Sequence, residues 1–173
     1  MQFKDQPRQE ECAAARYLAR DAEGLVIGGY RGWLGFAAER DIAMLDAIWS
    51  AFNRKLDANC ARLAMSGLEK LIRQLGVCAT CPLRFHCQGA RHLCRDECLM
   101  LALISGLQNG EDETAYLSAG ALTSNARAFE VLAAASEFAM AMKVGGKRLL
   151  PIQAESIRRI AQRGPKPQTT TLH

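Results

Sequence analysis

β-Branched residues are the first shortage. Four Val, eight Ile and six Thr stand against 28 Ala and 21 Leu, and three of the Thr fall in the last five residues. Aromatics are also few, at 6% of the chain. Strands prefer β-branched and aromatic side chains while Ala and Leu favour helices, so the composition excludes an extensive sheet and predicts an all-α protein. Long apolar runs are missing too. The most apolar early stretch, Gly24 to Ala38, is shorter than the roughly 20 residues of a spanning helix and carries Arg31 at its middle, so no membrane association is expected. The N-terminal MQFKDQPRQEE has no apolar core of the secretory-signal kind, which predicts a cytoplasmic protein. Nor is the chain extreme in charge. With 23% charged residues, 49% hydrophobic residues and a net charge of +4, it is not disordered as a whole. A chain of this length fits one compact domain that buries roughly 70% of the surface its unfolded form exposes.

The charge is concentrated. Residues 1–142 hold 15 Lys and Arg against 17 Asp and Glu, a net of −2. Residues 143–173 hold Lys143, Lys147, Arg148, Arg158, Arg159, Arg163 and Lys166 against Glu155 alone, a net of +6. The division read from this is a helical domain over 1–150, then a basic helical turn and a disordered tail over 151–173. Periodicity predicts a first helix from Pro7 to Arg20. A second, capped by Asp41, runs from Ile42 to Leu56 with Leu45, Ile48, Trp49, Phe52 and Leu56 inward. Asn59 is read as the cap of the next helix, with Ala64, Leu68, Leu71, Ile72 and Leu75 as its stripe and Gly76 as its stop. Another starts near Arg91 and stops at Asn109-Gly110, and a short one covers Glu111 to Ala119. Ser124 caps a long Ala-rich helix to Lys143, with Phe129, Leu132, Ala133, Ser136 and Met140 inward and Gly145-Gly146 as its end.

Residues 24–36, GLVIGGYRGWLGF, are read as a helix against the alternative of a Gly28-Gly29 hairpin, because a lone hairpin has no sheet to join. Five glycines in a helix interior cost roughly 5 kcal/mol relative to Ala, so they need a packing reason. Gly24, Gly28 and Gly32 recur every four residues, which predicts a close approach by another helix on that side. No GxGxxG follows a strand here, so a dinucleotide site has no support.

The chemistry sits in residues 78–98, CATCPLRFHCQGARHLCRDEC, which hold five of the seven Cys and two of the three His. The spacing is Cys78-x2-Cys81-x5-Cys87-x6-Cys94-x3-Cys98, with His86 and His92 between. In a cytosolic chain such clusters are read as metal or redox groups before disulfides, and thiolates suit zinc or iron–sulfur clusters. The predicted site is Cys78, Cys81 and Cys87 with Cys94 or Cys98 as the fourth ligand, and His86 and His92 as alternates. An iron–sulfur cluster is the leading reading. Cys-x2-Cys-x5-Cys resembles the spacing of oxygen-sensing iron–sulfur regulators, and Cys-x2-Cys-Pro-x4-Cys-x-Gly resembles auxiliary-cluster segments of radical enzymes. Zinc is the second reading, since Cys78-x2-Cys81 is a common half-site. The segment also begins like a zinc knuckle, but Arg91 stands where the knuckle's last Cys belongs. A thioredoxin-like redox pair lacks its βαβ surroundings, and packed thiols are the plain alternative, to which Cys12 and Cys60 are assigned.

Without a metal this polar segment is expected to be a loop of low order, about 14 residues long, so coordination is expected to fix the angle between its flanking helices. Asp96 and Glu97 are read as first-turn acids favoured by the helix dipole, not as an acid–base pair. His86 beside Cys87 lacks an orienting partner for nucleophilic catalysis. RHLCRDECLMLALISGLQNG, after a cysteine-rich turn and an RGW-containing segment, resembles a group of small helical proteins of alphaproteobacteria. That resemblance implies an all-helical fold and carries no activity. The function expected from these readings is a non-enzymatic metal-binding protein, iron–sulfur by preference, acting as a redox- or iron-responsive accessory or regulator. The alternative is a structural-zinc helical adaptor. Both imply a protein partner, and no basic recognition helix predicts sequence-specific nucleic-acid binding.

Overall fold

A computed structural model describes residues 15–162. Cys12, most of the first predicted helix and the tail from Arg163 lie outside the described residues. Within them the chain is all-helical, with no strand. The helices are α1 (Ala15–Leu18), α2 (Asp21–Glu39), α3 (Ala43–Lys55), α4 (Ala58–Cys78), α5 (Arg95–Asn109), α6 (Asp112–Leu122), α7 (Ala128–Val144) and α8 (Ala154–Gln162). No helix is long and apolar enough to cross a membrane.

The glycine-rich segment lies inside α2, as the helical reading expected. The close approach runs along a different side. A Cβ on Gly29 would fall 2.6 Å from the Leu68 side chain, and one on Gly32 would fall 2.7 Å from Ile48. Gly28 faces open space. The stripe that admits α3 and α4 is therefore Gly29 and Gly32, not Gly24, Gly28 and Gly32.

Helices α4 and α7 run antiparallel, with Gly145 beside Cys60, Gly67 against the Phe138 backbone and Gln74 bonded to Glu130. The buried face of α7 is Ala128, Val131, Ala135, Phe138, Ala139, Ala141 and Met142. That corrects the predicted stripe, since Phe129 is 72% exposed and Met140 48%. Trp49 of α3 is likewise exposed, while Ile48 and Phe52 are buried. Two helix ends also differ. Asp57, not Asn59, caps α4 by accepting from the Asn59 and Cys60 N–H groups, both at 3.0 Å. The helix continues past Gly76 to Cys78.

Helix α5 is central, with Leu99 to Gly106 buried on every side, as an all-apolar helix requires. It stops at Gly110, whose φ of 73° suits glycine. Gln108 fastens the following chain by donating to the Ala139 and Lys147 carbonyls and accepting from Leu149 N–H. The basic end is tied down in part: Ile157 of α8 is buried, and Arg158 pairs with Glu113 of α6.

Candidate functional site: the cysteine-rich loop

The chain leaves α4 at Ala79, which is extended, and Pro82 then discourages any return to helix. It re-enters a helix at Cys94, the N-cap of α5. Glu97, three residues on, accepts from the Cys94 N–H at 2.9 Å, the carboxylate half of a capping box.

Glu97 also meets Arg31, the one charge in the middle of the apolar α2. Arg31 Nε donates to Glu97 Oε1 at 2.6 Å and Nη2 to Oε2 at 3.2 Å. The same guanidinium donates to the Ala90 carbonyl at 2.9 Å and to the His92 carbonyl at 2.7 Å. Glu97 Oε1 accepts a further bond from the His86 N–H at 2.9 Å. Both side chains are buried. Burying two such charges costs several kcal/mol each, and the cost is offset only because nearly every donor and lone pair is used.

Neighbouring contacts extend the frame. Asp96 Oδ2 accepts from the Arg84 N–H at 2.9 Å, and Tyr30 Oη donates to the Arg84 carbonyl at 3.2 Å. Gln88 donates to the Gly28 carbonyl at 2.9 Å, in space that a side chain on Gly32 would take. Thr80 donates to the Thr123 carbonyl at the end of α6. Hydrogen bonds thus join the loop to α2, α5 and the end of α6. Asp96 and Glu97 do lie in the first turn of α5, as read from the sequence, and both are also buried within this frame.

The local electrostatics follow from this frame. Burial alone would raise the Glu97 carboxyl, but the Arg31 guanidinium and the His86 and Cys94 N–H groups outweigh it and hold it below its ordinary value. Burial, reinforced by the nearby Asp96, Cys94 and Glu97 charges, raises the Tyr30 hydroxyl. The Cys94 thiol is pushed up to about 11, mainly by burial.

The predicted ligands take different surroundings. Cys78 is 4% exposed at the last turn of α4, where its Sγ accepts from Gln74 at 3.0 Å and faces Glu130 of α7. Cys81 and Cys87 are exposed on the loop. Cys94 is half-buried, its Sγ 3.3 Å from the Arg84 carbonyl. Cys98 lines an apolar groove with Tyr17, Leu101, Ile152 and Ile157. His86 is half-buried and His92 exposed. Among the described residues, no three His, Cys, Asp or Glu side chains converge as a metal would require. Cys60 is buried beside Gly145, as a packed thiol. Sequence reasoning passed over Tyr30 and gave Arg31, Asp96 and Glu97 no part in holding the loop. The available signal was an arginine inside an apolar helix, which needs a buried partner.

Compared with known protein families, curated proteins and solved structures, the chain matches none.

Proposed function

We propose that the chain is a cytoplasmic, non-enzymatic protein whose cysteine-rich loop takes a soft metal, an iron–sulfur cluster by preference, and that it acts as a redox- or iron-responsive accessory or regulator. The observation that carries this is the exposure of the Cys81 and Cys87 thiols, with Cys94 half-buried, on one short loop whose backbone is held from behind. The donor set is all-thiolate, which suits iron–sulfur or zinc. Cys78, Cys81 and Cys87 are the assigned ligands. Cys94 is favoured over Cys98 as the fourth, because its thiol faces the loop while Cys98 faces the apolar groove. Loading requires Cys78 and Cys94 to exchange their present contacts for the metal. The Arg31–Glu97 frame uses none of the thiols and can persist through that change.

A regulator must translate metal state into a contact. A dication on four thiolates carries a net charge of about −2, placed on a loop that otherwise bears Arg84 and Arg91, so loading changes its surface charge. The second reading is a structural-zinc adaptor, favoured by His86 and His92 on the same loop, since zinc accepts mixed Cys and His ligands.

Metal and sulfide content of anaerobically purified protein tests the proposal. Iron with acid-labile sulfide, lost on Cys81→Ser or Cys87→Ser but kept on Cys60→Ser, supports the first reading. One zinc per chain supports the second. Protein that retains neither metal, or keeps it fully in every single variant, overturns both.

A further inference from the structure

We propose that the cleft between α2 and residues 88–91 of the loop binds a small carboxylate carrying a compact apolar group, with Arg91 taking the carboxylate and Leu18 and Ile27 the apolar part. None of the assigned thiol ligands lines this cleft, so the proposal goes beyond the metal reading and fails or stands separately from it.

Two glycines of α2 lack a packing neighbour that would account for them. Glycine in a helix interior is unfavourable against alanine. At Gly29 and Gly32 the closeness of Leu68 and Ile48 accounts for it. At Gly28 a Cβ would meet nothing within 4 Å, and at Gly24 it would make only an ordinary contact with the Leu18 carbonyl. The space beside these two is a cleft of about 320 Å³. Gly24, Ile27, Gly28 and Arg31 recur at helical spacing and line it from one face of α2, with Gln88 to Arg91 lining it from the loop. Its volume lies at the small end of the roughly 300–1,000 Å³ usual for ligand pockets.

The lining sorts by chemistry. Among the described residues no acidic side chain lines the cleft, while two arginines do. Arg91 is exposed, and among the described residues its guanidinium makes no ion pair or hydrogen bond. Its backbone is fixed beforehand, since Arg31 holds the Ala90 and His92 carbonyls on either side, and this lowers the ordering cost of binding. Arg31 is buried and uses four of its five N–H donors on Glu97, Ala90 and His92, which leaves one on Nη1. Among the described residues the backbone N–H groups of Gln88, Gly89 and Arg91 make no hydrogen bond either. Spare donors, an unpaired guanidinium and no lining acid select an anion with accepting oxygens, and a guanidinium matches a carboxylate in paired hydrogen bonds. Leu18, Ile27 and the two glycines offer no polar side chain, so an apolar group is favoured over water there. A bare phosphate would leave that half unmatched.

The test is an amide NMR titration of the full-length protein with benzoate, phenylacetate and isovalerate, and with inorganic phosphate for comparison. At least one carboxylate should shift the Gly24, Gly28 and Gly89 amides saturably and bind more tightly than phosphate. Arg91→Gln should weaken that binding about tenfold, as loss of a hydrogen bond to a charged group does. Gly28→Leu puts a side chain into the cleft and should abolish binding, while its thermal melt stays at or above that of the wild type because nothing stands within 4 Å of the new Cβ. Gly76→Leu, the same change at another open helix position, should leave binding unchanged. No saturable shift with any of the three carboxylates, shifts centred elsewhere, undiminished binding in Arg91→Gln or in folded Gly28→Leu, an equal loss in Gly76→Leu, or phosphate binding as tight as the carboxylates would overturn the proposal.

Discussion

Glu97 answers to several donors at once: Arg31, the His86 N–H and the Cys94 N–H all converge on its two oxygens. Glu97→Gln keeps the shape but leaves the Arg31 charge buried without its counterion. Breaking a buried pair from one side costs about 3–5 kcal/mol, so urea unfolding should show a loss of that order. Arg31→Lys should also destabilise, because an ammonium cannot reproduce the fork that reaches Glu97, Ala90 and His92 together. The pH dependence has a definite sign. The folded carboxyl lies below its ordinary value of 4.5, so its contribution is complete above that pH and is lost as pH falls through the lowered value. An NMR titration should show the Arg31 Nε–H signal steady from neutrality down to about pH 5 and shifting only in stronger acid. A shift centred near neutral pH would contradict this.

At the scale of elements, glycines separate contacts from open space. A Cβ on Gly67 would fall 2.6 Å from the Phe138 backbone nitrogen, and a backbone cannot turn aside as a side chain can. Gly67→Ala should therefore force α4 and α7 apart, at a cost of about 1–3 kcal/mol or more. Gly28→Ala, with nothing within 4 Å, should stabilise by about 0.5–1 kcal/mol through helix propensity. Thermal melts of the two variants should move in opposite directions. Gly67 also explains why one face was misread. Helix α7 is apolar nearly all round, so periodicity alone did not select between the Phe129–Met140 side and the Val131–Phe138 side. The choice came from Gly67, which lets the Phe138 side approach closely. The helices α2, α3 and α5 were legible because a lone Gly28-Gly29 hairpin had no sheet to join, and because Asp41 and Asn109-Gly110 mark the ends of apolar stretches locally.

For the whole molecule, helical class followed from the Ala and Leu excess, and the cysteine segment was visible from its spacing. What held that segment was not visible, because Arg31 and Glu97 lie 66 residues apart and meet only through the packing of α2 on α5. Local sequence gave the loop no apolar anchor, which is why a metal was expected to order it. The account now assigns the loop's shape to the Arg31–Glu97 frame and its chemistry to the thiols. Hydrogen exchange of metal-free protein, comparing the wild type with Glu97→Gln, tests that division most directly. The wild type should protect the His86 and Cys94 amides without metal, and the variant should lose that protection while α7 keeps its own. Wild-type amides exchanging as freely as an unfolded chain until metal is added would contradict it.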